Sequence, residues 1–363
     1  MKKKNKAIYL LFLMPFVYFA TACFVVWLVK TSGIYPSGSD TMYHVYRGDY
    51  VYNAIKSGNW YPLYDPAWYN GVEILRYWSP FPAYVMAFCQ YLAGGSQFGA
   101  YLFYIGGVCL LGACVWPFIG RGFNRPYLGA FIGLLWFFMP NNLCAIFIEG
   151  NLARSLSMIF LPVFIYSVYK YLYNHKLRYI PLMVFTFLLM ELCHLGYAGM
   201  VAIAVIIYGI VYMIQKGRKK AVLDVVISMI FGFMLLGIWL VASLRGGITS
   251  LDNSENMANF FQNLWITINP FERLTRGFEY FYFGFATLVV IVFGILFGYK
   301  KSRTGFVTGF IILLMTTKSA YAVLKHLPGS QYLWMLRFIS IALCMILMSF
   351  LMWDRLKKTL VLM

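Results

Sequence analysis

AIYLLFLMPFVYFATACFVVWLV, residues 7–29, is a run of 23 apolar or weakly polar residues behind Lys2, Lys3, Lys4 and Lys6. At about 1.5 Å per helical residue it is long enough to cross the roughly 30 Å hydrocarbon core of a bilayer. The run exceeds the apolar stretch of a secretory signal peptide, and residues 31–38 offer no small-residue cleavage site, so it reads as a retained anchor. The rest of the chain agrees. Of 363 residues, 61% are hydrophobic and 12% charged, and the mean hydropathy is +0.71, which describes a chain whose solvent is mostly lipid.

Working outward, further apolar runs lie near 98–120, 128–148, 155–172, 180–194, 197–214, 221–243, 278–299, 304–322 and 338–353. With the first they predict an all-α, polytopic helical bundle of about ten transmembrane helices, read as one membrane domain over 1–363. Basic residues gather in one alternating set of connections: the N-terminal lysines, Arg121 with Arg125, Lys176 with Arg178, Lys216 to Lys220, Lys300 to Arg303, and Arg355 with Lys357 and Lys358. The positive-inside rule then puts both termini in the cytoplasm of a multi-pass plasma-membrane protein. Residues 80–95 would break this alternation if they crossed, so they are expected as a helix embedded in the outer leaflet. The net charge of +18 is accounted for by these topology signals facing anionic headgroups, and no nucleic-acid partner is expected. Seven cysteines show no metal-ligand spacing and read as small buried apolar residues.

The same topology collects four polar segments on the extracytoplasmic face: a long first loop at 31–79, residues 149–155, a second large loop at 245–277, and residues 325–337. In the first loop, the spacing from Asp40 to Lys56 predicts a helix with Asp40 and His44 one turn apart and Arg47 on a neighbouring stripe. A carboxylate, an imidazole and a guanidinium would then face one cavity. Trp60, Trp68, Tyr69 and Trp78 follow as an interfacial belt or as stacking surfaces for a ring. Glu191 and His194 stand in an otherwise apolar span, where ionisable groups are costly and therefore point to function.

Three stretches of the first loop, Gly58-Asn-Trp-Tyr-Pro62, Trp68-Tyr-Asn-Gly71 and Tyr77-Trp-Ser-Pro-Phe81, carry a resemblance. Such a loop, opened by an acidic residue after the first span, resembles the GT-C superfamily of membrane glycosyltransferases. More narrowly, the stretches resemble the bacterial 6-pyruvoyl-tetrahydropterin synthase-related membrane proteins, neighbours of the YfhO-like glycosyltransferases. Glu149 to Ser155, His194 and Leu327 to Phe338 fall in the order seen in that group, with Arg154 where the group usually has an acid and Leu333 where it has proline. Nothing in the chain supports pterin chemistry.

The resemblance implies a glycosyltransferase that moves a sugar from a polyprenyl-phosphate donor to a cell-envelope glycan, lipid or protein acceptor, with membrane lipids around it. Such transfer needs a base for the acceptor hydroxyl, for which Asp40 is the first candidate and Asp49 the second, with His44 beside them. It needs cations for the leaving phosphate, and Arg154 and Arg337 suit that role because a planar guanidinium binds phosphate oxygens in pairs. Arg76, Lys325, Glu149, His194 and Gln331 complete the expected substrate-binding set. No cofactor is expected: a single leaving phosphate needs no metal, whereas a pyrophosphate donor would favour a divalent ion on Asp40, Asp49 and His44. The competing readings are a transporter or flippase and a non-catalytic envelope-assembly protein.

Overall fold

The computed structural model describes residues 2–68, 70–245, 285–298, 300–326 and 334–353, and these are helical with no named strand among them. In chain order the helices are α1 (Lys2–Ser32), α2 (Thr41–Lys56), α3 (Ile74–Tyr77), α4 (Phe81–Leu92), α5 (Gln97–Gly122), α6 (Pro126–Phe138), α7 (Pro140–Phe147), α8 (Leu152–Asn174), α9 (Tyr179–Cys193), α10 (Leu195–Lys216), α11 (Lys219–Leu235), α12 (Gly237–Arg245), α13 (Phe285–Phe297), α14 (Lys300–Met315), α15 (Lys318–Leu324) and α16 (Phe338–Leu351), the last entered through a 3-10 turn at Met335–Arg337.

Four of these, α1, α5, α8 and α10, are long and apolar enough to cross a membrane. The count rises to six when two bent pairs are each taken as one span: α6 with α7, bent by 42°, and α11 with α12, bent by 66°. Each bend has a local cause. Pro140 cannot donate to the preceding turn, and Gly237 relaxes the backbone after Leu236. The helices fall on the apolar runs of the sequence, but α9, α13 and α16 are shorter than a full span, so four to six crossings are what length and composition support among the described residues. α4, with 12 residues, measures about 18 Å and is too short to cross alone. The expected second large loop at 245–277 lies, beyond Arg245, outside the described residues.

α8 is the centre of the bundle. It is apolar on all sides and buried through most of its length, as a helix without a polar face must be. α16 is buried in the same way and packs on α14 and α8. α5 and α6 approach so closely that a Cβ on Gly120 would lie 2.8 Å from the Gly129 Cα, the small-residue contact that lets two membrane helices gain dispersion energy where burial from water contributes nothing.

The first loop is an ordered cap. α2 lies along α4, with the Gly48 backbone against Met86, and a small core of Val51, Ile74, Leu75, Ala83 and Ala87 holds the loop to both helices. Asp65 organises its middle: it accepts a 2.5 Å bond from Tyr46 Oη and one of 2.9 Å from the Ala67 amide, beside the backbone bridge between Asp65 and Val72. α3 is pinned to α12 by Trp239 Nε1, which donates to the Leu75 carbonyl at 2.7 Å.

Candidate functional site

The residues that cap four helices meet at one end of the bundle. Asp40 precedes α2, Asn151 precedes α8, His194 precedes α10 and Arg337 precedes α16. Each helix start carries amides without intrahelical partners and the positive end of a dipole, so the meeting point favours an anion before any side chain is counted.

The close fit begins in the backbone. Glu149 O accepts from the Asp40 amide at 3.0 Å and from Ser39 Oγ at 2.9 Å. Gly150, at φ +66°, turns the chain so tightly against Thr41 that a Cβ there would lie 2.2 Å from Thr41 Oγ1, and a Cβ on Gly38 would lie 2.6 Å from the Gly150 Cα. Only glycine permits both the left-handed backbone and the contact. Asn151 Oδ1 then accepts from the Arg154 amide at 3.0 Å and starts α8.

On this frame Glu149 bridges two guanidiniums: it bonds to Arg154 and stands 3.4 Å from Arg337 Nε. Arg154 is 2% exposed, and Arg337 carries Trp334 over its guanidinium at 4.2 Å. Two cations thus share the Glu149 carboxylate. Asp40 lies within electrostatic reach of both arginines and of Glu149. Burial is the main influence on its carboxyl and holds it above the ordinary carboxylate value, against the pull of Arg337, Ser39 and Arg154.

His194 supplies the most telling geometry. Its Nδ1 accepts from the Tyr197 amide at 3.1 Å, so the proton of the neutral ring sits on Nε2. That Nε2 faces Arg337 Nη1 at 3.5 Å. Both atoms are donors, so neither satisfies the other, and an oxygen anion beside the pair would accept from both. Tyr197 and Ser340 hold the two helix starts in register through a 2.8 Å hydroxyl pair, and Ser340 Oγ donates to the Arg337 carbonyl at 3.0 Å. His44 reaches the same cluster from α2. Burial and then Arg47 push its imidazole down to about 3, so it is neutral near pH 7.

Asp40, His44, Glu149, Arg154, His194 and Arg337 are therefore gathered. Others in the expected set are not. Asp49 lies nine residues from Asp40, two and a half helical turns, so it points to the opposite side of α2, where Gln90 Nε2 donates to it at 2.6 Å. The second candidate base is thereby separated from the first, and so is the ligand set of Asp40, Asp49 and His44; among the described residues no group of three His, Cys, Asp or Glu is close enough to hold a metal ion. Arg47 is 2% exposed and donates through Nη2 to the Trp78 and Ser79 carbonyls, each at 3.3 Å, with the rings of Tyr43 and Trp78 over it. It fastens the cap instead of facing a ligand. Arg76 pairs with Glu73 and donates to the Ala242 carbonyl at 2.9 Å, away from the cluster. Lys325 is exposed at the end of α15, and Gln331 and Tyr69 lie outside the described residues. Trp68 and Trp78 pack on Tyr43 at 5.0 and 5.1 Å between ring centres, while Trp60 is exposed. Glu191 is buried, with its carbonyl accepting from Ser79 Oγ at 2.9 Å.

The reading from residues missed Asn151 and the Gly38 and Gly150 contact. The Glu-Gly-Asn of 149–151 before an apolar run is a helix-start signal that points to Asn151. Nothing local points to the meeting of Gly38 and Gly150.

Fold and cluster define a polytopic helical membrane protein with a charged, anion-favouring site at one end of its bundle. Residues 75–363 match the family described as 6-pyruvoyl-tetrahydropterin synthase related domain, a membrane protein, and the chain belongs to that family. The matched region contains Glu149, Arg154, His194 and Arg337, while α1 and α2, with Asp40 and His44, precede it. No curated protein and no solved structure matches the chain.

Proposed function

We propose that the protein is a membrane glycosyltransferase of the GT-C type, transferring a sugar from a polyprenyl-phosphate donor to an acceptor of the cell envelope. The observation that supports this best is the donor-only pair of His194 Nε2 and Arg337 Nη1, set among helix starts. The donor's phosphodiester, which leaves as a phosphate monoester, fits that site by its oxygen acceptors.

Asp40 acts as the base. Its ionised carboxylate takes the proton of the acceptor hydroxyl as the hydroxyl oxygen bonds to the anomeric carbon, and the bond from that carbon to the phosphate oxygen breaks with its electron pair moving to the phosphate. Arg337, Arg154 and His194 hold the charge that develops there, and Glu149 keeps both guanidiniums aimed at it. The topology that goes with this chemistry has about ten crossings, both termini cytoplasmic, α4 in the outer leaflet and the cluster on the extracytoplasmic face. A cysteine at Trp60 should then be labelled by an impermeant maleimide from outside and one at Gly217 should not; the reverse pattern overturns the orientation.

The decisive experiment is sugar transfer by the purified protein in lipid, with a panel of polyprenyl-phosphate hexoses, comparing wild type with Asp40→Asn. Turnover that disappears in the variant establishes the reaction; equal turnover in both removes Asp40 from it. The two Pro- and Gly-broken helix pairs favour one other reading, a transporter of a lipid-linked substrate. Movement of labelled lipid between leaflets without any transfer would select it.

A further inference from the structure

A groove of about 1160 Å³ runs down the flank of the bundle between α1, α4, α5 and α8. Its floor is buried Ala22, Leu102, Tyr104 and Leu156, and its rims carry exposed Trp27 and Phe103. Among the described residues, Lys30 is the one charged side chain that lines it, and it sits in the last turn of α1.

Three observations point to one kind of occupant. The first is depth. From Phe19 to Lys30 the groove follows α1 for about 17 Å, close to the roughly 15 Å that one leaflet's hydrocarbon occupies. The second is direction. Lys30 lies at the end of α1 from which residues 33–40 lead to Ser39 and Asp40 at the cluster, so the cationic end of the groove is the end joined to the anion site by a short connection. The third is continuity. Leu156 on the floor is two residues beyond Arg154, and Tyr104 Oη donates to the Leu152 carbonyl at 2.8 Å, so the inner wall is built from the helix start that carries the site.

We propose that this groove holds the isoprenoid chain of the donor while its phosphate rests between Lys30 and the cluster. The inference rests on the donor class proposed above, and it makes chain length part of recognition, since each methylene kept out of the groove loses its packing contacts with the groove wall.

Gly107 provides the test. It lines the groove, and a Cβ there meets nothing within 4 Å, so a larger side chain starts into the groove without a clash at its first atom. The full-length protein in lipid nanodiscs is photolysed with a long-chain polyprenyl phosphate that bears a diazirine in its tail and no sugar, and the labelled peptides are mapped. Label is expected on α1 and α5 near Trp27 and Phe103. Gly107→Trp should reduce it severalfold, because the indole takes up space that the tail needs, and Gly107→Ala should leave it unchanged. Lys30→Glu should lower labelling by the phosphate and spare labelling by the uncharged polyprenol. Label indifferent to Gly107→Trp, or removed by an equal amount of phosphatidylglycerol, would overturn the proposal and make the groove a place for ordinary bilayer lipid. Because the probe carries no sugar, groove labelling without transfer from any donor sinks the transferase reading alone. Transfer without groove labelling sinks this inference alone.

Discussion

The start and the middle of α2 carry similar side chains to different ends. At the start, Asp40 and His44 enter a cluster completed by residues from three distant helix starts. Two turns on, Arg47 is bonded to the Trp78 and Ser79 carbonyls and Asp49 to Gln90. A charged side chain whose partners all lie within the cap holds structure. One left beside shared or mismatched partners has capacity for a ligand.

The largest expected difference between the two halves is in rate. Asp40→Asn should lower transfer by about 10²–10⁴-fold, the range for a positioned general base, with the unfolding midpoint almost unmoved. Asp49→Ala should leave transfer intact. Measuring both variants with one donor would invert the comparison if the losses came out reversed. The two variants also differ in pH behaviour. Burial raises the Asp40 carboxyl, so the wild-type rate should climb as pH rises through a value above the ordinary carboxylate range. Stability should run the other way. The folded state holds that proton more tightly than the unfolded chain, so Asp40 contributes most below its unfolded value, and the contribution is lost as pH rises through the folded value. Opposite slopes for rate and stability, both flattened in Asp40→Asn, are the signature to look for.

Next in size is the buried bridge. Arg154→Ala leaves Glu149 buried with half its compensation and should cost about 3–5 kcal/mol of stability. Adding Glu149→Gln should recover much of that loss in thermal unfolding, and no recovery would mean that the pair is not coupled. Arg47→Met should cost less, about 1.5–3 kcal/mol for charged hydrogen bonds to two carbonyls. Donor affinity of the folded fraction should persist; its loss would move Arg47 from the cap into the site. Smallest is Asp49→Ala, expected at about 1 kcal/mol or below in stability, since its partner Gln90 also bonds to the Gly95 carbonyl.

Much of the site was legible as residue types. Glu149, Arg154, His194 and Arg337 each stand where a polar residue interrupts or borders an apolar run, a strong signal in a chain with so few charges, and Asp40 and His44 stand one turn apart in the polar first loop. The residues left out of the cluster are equally instructive. Asp49 and Arg76 carry the same chemistry as residues that the fold gathers. Asp49 could have been set apart by helical phase alone, because nine residues turn it to the far side. For Arg76 no such rule existed, since its partners Glu73 and the Ala242 carbonyl depend on where α12 docks. The fold shows a similar division. Helix positions followed from hydropathy, whereas the bends at Pro140 and Gly237 and the shortness of α9, α13 and α16 reduced the crossings that length supports.

By itself the sequence determined that the chain lives in a membrane, that it is helical, and which few ionisable residues stand against an apolar background, because lipid penalises every unsatisfied polar group and so constrains local composition. Only the tertiary structure decided which of those residues meet. Glu149, His194 and Arg337 come together over long stretches of chain through the contact of two glycine turns and the pairing of Tyr197 with Ser340, and no local pattern records a distance between segments so far apart.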